Sequence, residues 1–303
     1  MSFSLSKWVC PPPETLDEPE GTEGKVEWFR CLPYIIIHLL ALVAFFYPVT
    51  TWCLVIALIS YSVRMFSITA FYHRYFSHRS FKTSRLVQFI GAFVACSSGQ
   101  RGPLWWAAHH RRHHRHSDTE EDVHSPHSKS FIWSHTLWFM TEYSVPTFLK
   151  EVRDLVKFKE LVFLNRYDWI PLVLLGTACY FAPEIPFFFE LTGLSNMQCL
   201  MWGFFVPTIL LYHATFAVNS INHLFGSRKF DTKDESRNNW FIALIAFGEG
   251  WHNNHHFYPA SARQGFFKGE FDITYYGLKL LSFFGLVRNL RPVPAWVKSK
   301  AKN

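Results

Sequence analysis

The chain has 303 residues, of which 49% are hydrophobic and 18% aromatic, whereas only 17% are charged. This balance argues against an ordinary soluble enzyme, in which about 25% of residues are charged. The net charge of +7 indicates a cytoplasmic face attracted to anionic lipid and no nucleic-acid partner, because the sequence contains no nucleic-acid-binding motif.

Four almost wholly apolar segments predict the architecture. Each approaches the roughly 20 residues that a membrane-spanning helix needs. The predicted spans are residues 32–47, 52–70, 169–189 and 198–218. We therefore expect an all-α integral membrane protein with four transmembrane helices in two hairpins. A flexible cytosolic tail over residues 1–27 precedes one membrane domain over 28–303, whose helical cytosolic cap comprises 73–165 and 219–303.

Charge placement predicts the topology. The turns of the hairpins, at residues 46–51 and 182–196, contain no lysine or arginine. Because positive residues favour the cytoplasmic side, both termini and the cap are expected there. Arg64 lies inside the second span, which predicts that this helix continues past the bilayer core towards His73. A bacterial cell membrane is favoured, or the endoplasmic reticulum membrane in a eukaryote.

The cap should contain further helices. Residues 85–98 are apolar but too short to span, which predicts an interfacial or re-entrant helix. Apolar spacing predicts surface helices near residues 134–143 and over residues 149–164. Asp272 is a candidate N-cap for a helix that reaches residue 286.

Histidines recur in the predicted cap with offsets that suit metal binding. Two clusters have i, i+3, i+4 spacing, which places three imidazoles on one helix face. The candidates are His73 and His78; His110, His113 and His114; His252, His255 and His256; and the single His223.

A single basic histidine tract is more often a solvated surface than a metal site. The cluster in WHNNHH has no flanking basic residue, however, and several clusters together predict one site assembled in three dimensions. Eight or nine imidazoles are too many for one metal but suit two transition-metal ions, each with an open position. Zinc is the alternative, although structural zinc sites usually contain cysteine. An open site beside apolar helices suggests dioxygen chemistry on a lipid.

Four motifs carry a family resemblance. HRYFSH, HRRHHRHSD, NSINHLFG and GEGWHNNHHFYP occur in this order and together resemble the membrane fatty acyl desaturases of the stearoyl-CoA, delta-nine type. The resemblance implies oxygen-dependent formation of a cis double bond in a saturated acyl chain, at two iron ions. The implied iron ligands are His73, His78, His110, His113, His114, His223, His252, His255 and His256, with Asn219 acting through water.

The resemblance also implies residues around the metals. Asp118, Asp122 and Glu249 are candidate hydrogen-bond partners of the ligand imidazoles. Trp106, Ala57 and Tyr61 are candidate residues of a substrate tunnel. Bulk at Tyr61, one turn beyond the small Ala57, predicts a shorter chain, palmitoyl-like rather than stearoyl-like.

The acyl carrier stays open at this stage. Animal acyl-CoA enzymes have Arg-Asp where this chain has Ala108-His109, and Arg-Lys where it has Thr141-Glu142. Losing these phosphate-pairing cations leaves CoA, a membrane lipid and a carrier protein as candidates. No His-Pro-Gly-Gly motif of a fused cytochrome is present, so we expect a separate electron donor such as a b-type cytochrome or ferredoxin.

Two other functions are compatible with histidine clusters beside apolar segments. A di-iron membrane lipid hydroxylase would use the same histidines, whereas a metal transporter would need carboxylates or histidines lining several spans. The other histidines are expected to have structural roles: His38 and His213 should hydrogen-bond a neighbouring helix. Surface or ligand-supporting positions are predicted for His109, His116, His124, His127 and His135.

Overall fold

The computed structural model describes residues 25–29 and 31–302. Helices form nearly all regular structure in this part of the chain, as the all-α prediction requires. The predicted tail lies outside the described residues, apart from residues 25–27.

Two apolar helices form the first hairpin. Their bounds are Leu32–Leu42 for α1, which a 3-10 turn over Val43–Phe46 extends, and Thr51–Ser67 for α2, which continues as a π-helix over Ile68–Ser77. The Thr50 hydroxyl caps α2 by accepting a hydrogen bond from the backbone N–H of Cys53. The predicted continuation of this helix past Arg64 towards His73 is confirmed.

Shorter helices connect the hairpins. They are α3 (Arg85–Cys96), α4 (Pro103–His116), α5 (Arg153–Val156) and α6 (Lys159–Arg166). The single helix predicted over residues 149–164 is wrong, because the backbone at Phe158 is extended with φ −95° and ψ 102°. The helix predicted near 134–143 is replaced by three short turns, since Thr141 is extended and bridges Val26. This region has one π-helical turn, Trp133–Leu137, and three 3-10 turns, Trp138–Met140, Glu142–Ser144 and Leu149–Val152.

The second hairpin is more broken than the first. Its elements are α7 (Trp169–Phe181), a 3-10 turn (Ala182–Glu184), α8 (Pro186–Thr192), α9 (Asn196–Leu200), a π-helix (Met201–Phe205) and α10 (Val206–Leu224). The residue before a proline is driven out of the helical conformation, and Ile185 before Pro186 is extended accordingly. Ser195 and Gln198 form a capping box that begins α9.

The C-terminal part of the chain completes the cap. It contains α11 (Trp240–Ile245), α12 (His252–Phe257), α13 (Ile273–Phe283) and α14 (Ala295–Lys298). Asp272 caps α13 by accepting from the backbone N–H of Tyr275, as predicted. Strands β1 (Lys82–Thr83) and β2 (Val287–Arg288) pair antiparallel, which ties this part of the chain to the segment after α2.

Length and composition support two or three of the four predicted spans. Thr51–Ser77 has 27 residues, and Asn196–Leu224 has 29, and each is long and apolar enough to cross a membrane. The helices Trp169–Glu184 and Pro186–Thr192 meet this test only together and are bent by 80°. The helix Leu32–Phe46 is apolar but shorter than a usual span.

The π-helical end of α2 lies in the main hydrophobic core. All ten of its residues are buried, and it packs against α4, which runs beside it. A second core lies between α1, α2 and the helices of the second hairpin. The first core therefore holds the segments that carry most histidine clusters.

Candidate metal centre and cavity

Four helical segments bring the predicted histidines together. The π-helical end of α2 contributes His73 and leads into His78, and α10 contributes His223 in its last turn. A π-helix joins residues five apart by its backbone hydrogen bonds, so it brings His73 and His78 closer to the same side than an α-helix would. Their rings are 4.9 Å apart between centroids. The remaining six candidates lie on α4 and α12.

The histidines form two groups. In each group the potential ligand atoms lie within 4.8 Å of one another. The first group is His73, His78, His110, His114 and His255, and the second is His113, His223, His252 and His256. The structure therefore collects all nine predicted histidines into two adjacent clusters.

The imidazoles face one another through their Nε2 atoms. Nε2 of His255 lies 3.0 Å from that of His73 and 2.8 Å from that of His114. The same atoms of His78 and His110 are 2.8 Å apart. A neutral imidazole has only one N–H donor. The converging nitrogens therefore cannot all hydrogen-bond one another, whereas a cation would accept their lone pairs.

A further observation also fits metal ions. Nε2 of His113 and Nε2 of His256 are buried and have no hydrogen-bond partner in the part of the chain that the structure describes. Their Nδ1 atoms instead contact carboxylates, Asp122 at 3.1 Å and Asp234 at 2.7 Å. This is the arrangement in which a carboxylate fixes the tautomer and leaves the opposite nitrogen for a metal.

Four carboxylates hold the outer nitrogens of the clusters. Asp118 lies 2.7 Å from Nδ1 of His223, and Glu249 contacts Nδ1 of His73. Burial would raise the pKa of Asp118, but the contact with His223 and the hydrogen bonds from Ser125 and the Glu235 backbone together outweigh burial and lower that pKa. The three carboxylates predicted from the sequence thus contact three different imidazoles. Asp234 was missed, because nothing in the sequence links this loop residue to α12.

Burial holds most of the histidines in the neutral form that binds metal, whereas at His113 it is outweighed by the nearby carboxylates, Asp122 foremost, which raise the pKa of His113. Burial lowers the pKa of most of them well below the ordinary value, and the neighbouring imidazoles add to this effect. The residues concerned are His78, His110, His114, His252 and His255. Burial also lowers the pKa of His256, to about 4. Metal ligation by imidazole requires this deprotonated state.

A buried charge network supports Glu249. Nη2 of Arg74 donates to Oε1 of Glu249 at 3.1 Å, and Nη1 of Arg74 contacts Asp272 at 2.9 Å. Nε2 of Gln264 donates to the other oxygen of Glu249 at 2.9 Å. Neither Arg74 nor Gln264 was predicted from the sequence as part of the site. Arg74 carried a usable signal, since an arginine inside an apolar helix usually has a buried partner.

The remaining histidines have structural contacts. His38 and His213 hydrogen-bond each other between α1 and α10 at 3.1 Å, as predicted. His109 and His124 are both 5% exposed, so neither is a surface residue. His124 stacks beside His113 with 4.3 Å between ring centroids and lies close to Asp122. His127 donates to the carbonyl oxygen of His223.

An apolar cavity of about 630 Å³ reaches the two clusters. At this end it is lined by His73, His110, His252 and the predicted Asn219. Trp106, another predicted residue, lines the cavity and stacks on His110 with 5.0 Å between ring centroids. The cavity therefore opens directly onto both histidine groups.

Two of the predicted tunnel residues, Ala57 and Tyr61, are not among the described residues that line this cavity. Ala57 is buried in the core between the hairpins. Tyr61 lies one layer away: its hydroxyl donates to the backbone carbonyl of Ile245, next to Ala246, which does line the cavity.

Comparison with known proteins decides the family. The model of the family described as fatty acid desaturase matches residues 49–265, well over half of the chain. The chain belongs to the fatty acid desaturase family. This confirms the resemblance seen in the four histidine motifs and makes the protein an oxidoreductase of the acyl desaturase class.

Curated relatives cover nearly the whole chain. An sn-1 stearoyl-lipid 9-desaturase of Anabaena variabilis is 34% identical over 277 residues, which cover 89% of this chain and 96% of the relative. An sn-2 palmitoyl-lipid 9-desaturase of Nostoc sp. (strain 36) is 31% identical, over 90% of this chain and 93% of the relative. An icosanoyl-CoA 5-desaturase of Limnanthes douglasii is 32% identical, over 88% and 73%.

Proposed function

We propose that this desaturase inserts a cis double bond at the delta-nine position of a saturated acyl chain, using dioxygen and two electrons from a separate donor. The observation that carries the proposal is the meeting of two histidine groups with one end of an apolar cavity. The relatives named as 9-desaturases support the position of the double bond.

Iron is the proposed metal, bound as two ions. The first histidine group would hold one ion and the second group the other, with Asn219 contributing through a water molecule. When bound, the iron pair would supply the activation of dioxygen that removal of hydrogen from an unactivated methylene requires. Imidazole and open coordination positions suit such an ion.

In this proposal the carboxylates orient the histidine ligands. Asp118, Asp122, Asp234 and Glu249 accept the Nδ1–H of their histidines and so leave each Nε2 free to bind metal. Since these carboxylates are buried or nearly so, they also compensate part of the positive charge of two ions.

The cavity supplies the positional selectivity. All methylenes of a saturated chain have nearly the same reactivity, so the carbon that reacts must be set by where the chain is held. Trp106 and Val218 would position the chain beside the histidines. Gln100 donates to Thr215 at 2.7 Å, and both line the cavity, so this bridge would shape the path of the chain.

The proposed setting is a multi-pass membrane protein with its metal centre on the cytoplasmic side. The turns of the two hairpins, at residues 46–51 and 182–196, contain no lysine or arginine, which supports this orientation. Four crossings would include the bent pair α7–α8 and the short α1. The electron donor, a b-type cytochrome or ferredoxin, would then approach from the cytoplasm.

Expression in a desaturase-deficient host, with a working electron donor, tests the proposal. We expect new cis-delta-nine unsaturated chains, identified by mass spectrometry after derivatisation of the double bond. His252→Ala should abolish them, whereas His116→Gln, which changes a histidine paired with the exposed Glu121, should not. A hydroxylated product would favour the hydroxylase, and no new product would refute the proposal.

A further inference from the structure

The cavity has a second polar region, formed by Arg101 and Asp168. Nε of Arg101 and Oδ2 of Asp168 form an ion pair at 3.7 Å, which is too long for a hydrogen bond. Both atoms are buried, and among the described residues neither has a hydrogen-bond partner. A buried donor and a buried acceptor are therefore both left open beside an apolar cavity, which is costly unless a ligand or water satisfies them.

The position of Arg101 is fixed by its surroundings. Its backbone is left-handed, with φ +68°, and its carbonyl oxygen accepts a hydrogen bond from the Tyr72 hydroxyl at 2.8 Å. Its guanidinium donates to the carbonyl oxygen of Val145 at 3.1 Å and lies over the Trp105 ring. These contacts hold Nε in place without using its hydrogen.

The rim of the cavity near this pair is apolar and exposed. Pro33, in the first turn of α1, is exposed, as are Trp169 and Val173 of α7, which are 40% and 52% exposed. All three line the cavity and lie at the cytoplasmic ends of predicted spans. Exposed apolar side chains at that level face lipid, and tryptophan is favoured at the membrane interface. The cavity therefore opens sideways, towards the membrane.

The charge of the lining does not suit CoA. Among the described residues that line the cavity, and leaving histidines aside, the charged ones are Arg101, Asp168 and Glu249. One cation beside two carboxylates offers little to a ligand with several phosphates. One donor and one acceptor instead match an ester carbonyl and a nearby hydroxyl.

We propose that Arg101 and Asp168 form a binding site for the ester and glycerol region of a membrane glycerolipid, whose acyl chain enters the cavity from the bilayer. This inference rests on the proposed desaturase function. Nε of Arg101 donates to the ester carbonyl oxygen. All three glycerol oxygens of such a lipid are substituted, so Oδ2 of Asp168 accepts from a hydroxyl of the headgroup or from a water held beside the ester.

Purified holoenzyme in nanodiscs tests this site. The two substrates are a dipalmitoyl glycerolipid in the disc and palmitoyl-CoA in solution, each supplied with the same electron donor. We expect desaturation of the glycerolipid. If palmitoyl-CoA alone is desaturated, the glycerolipid site is refuted and the desaturase function stands. If neither is desaturated, the proposed function itself fails.

Three variants and a control test the two residues. Arg101→Gln and Asp168→Asn should weaken retention of the glycerolipid, measured by native mass spectrometry, roughly tenfold each, as expected for a lost hydrogen bond to a charged group. Arg101→Lys should recover part of the affinity. Arg85→Gln, which breaks an exposed ion pair between Arg85 of α3 and Glu160 of α6, should match the parent.

Iron content separates loss of the site from misfolding. Variants that keep the parent's iron and lose lipid support the site. Variants that keep both iron and the parent's lipid affinity overturn it. Should Arg101→Gln lose iron as well, Arg101→Lys and Asp168→Asn decide between these outcomes.

Discussion

Oδ2 of Asp234 lies 2.7 Å from Nδ1 of His256 and connects the segment after α10 to the last histidine cluster. Asp234 also accepts a hydrogen bond from the backbone N–H of Ser236. Burial would raise the pKa of Asp234, but His256 outweighs burial and lowers that pKa well below its usual range. The carboxylate is thus ionised and oriented before any metal binds.

Asp234→Asn should weaken metal binding. The amide no longer favours the tautomer with the proton on Nδ1 of His256, and loss of such partners typically costs about 10- to 100-fold in metal affinity. Iron retention against a chelator, followed by elemental analysis, measures the effect. Asp231→Asn is the matched control, since Asp231 lies in the same segment but is 84% exposed. Equal retention in the two variants would contradict a role for Asp234.

The two histidine groups predict a defined stoichiometry. His114 belongs to the first group and His252 to the second. Because each variant, His114→Ala or His252→Ala, removes a ligand from one group, we expect iron to fall from about two ions per chain towards about one in each, and activity to vanish in both. His116→Gln should keep both ions. If neither alanine variant lost iron, the ligand sets proposed for the two groups would be wrong.

Periodicity made the ligand clusters predictable from the sequence. His110, His113 and His114 share a helix face by spacing alone, and α4 presents them as expected. The pair His73 and His78 has a five-residue spacing that an α-helix would place on different sides. The π-helical end of α2 resolves this, and propensities do not predict a π-helix.

Contacts between distant segments were not predictable. Asp234 meets His256 only because the segment after α10 folds back over α12, and no local pattern encodes that path. The open pair of Arg101 and Asp168 is likewise formed by residues on separate segments. The apolar composition made the spans predictable. It did not predict the 80° bend before α8, where Ile185 is extended because it precedes Pro186.

A chain of hydrogen-bonded histidines predicts pH-dependent stability. Nδ1 of His38 donates to the Tyr34 carbonyl at 2.8 Å, so neutral His38 accepts from His213, and His213 accepts from His135 at 3.0 Å. Nδ1 of His135 lies 2.9 Å from the Ser220 hydroxyl, which itself donates to the carbonyl oxygen of Phe216 at 3.0 Å. Protonating His135 would place a positive charge in a half-buried site beside His213, which both burial and the neighbouring imidazole disfavour.

Burial lowers the pKa of His135 to about 4, and His213 adds to this effect. An unfolded chain has a histidine pKa of about 6.5. Between these values the unfolded state binds more protons, so stability falls as the pH drops below about 6.5 and the loss is complete near pH 4. The Tm in detergent should therefore fall from pH 7 to pH 5, and His135→Gln should reduce that fall. An unchanged pH dependence in the variant would contradict this assignment.

We expect Tyr61 to control the preferred length of the acyl chain. Its phenol ring packs edge-on against Phe247, and its hydroxyl donates to the carbonyl oxygen of Ile245. The neighbouring Ala246 lines the cavity, so Tyr61 stands directly behind the wall. Tyr61→Ala would open space behind Ala246, and the preference should shift from palmitoyl towards stearoyl chains by roughly tenfold, on the order of two buried methylenes.

Competition between palmitoyl and stearoyl substrates measures the shift in one reaction mixture. Tyr61→Phe is the control, because it removes only the hydroxyl and keeps the ring that fills the space. We expect this variant to retain the parent's preference, with some loss of stability from the unsatisfied Ile245 carbonyl. If Tyr61→Ala and Tyr61→Phe share the parent's preference, Tyr61 serves only to pack α2 against α11 and the end of the chain lies elsewhere in the cavity.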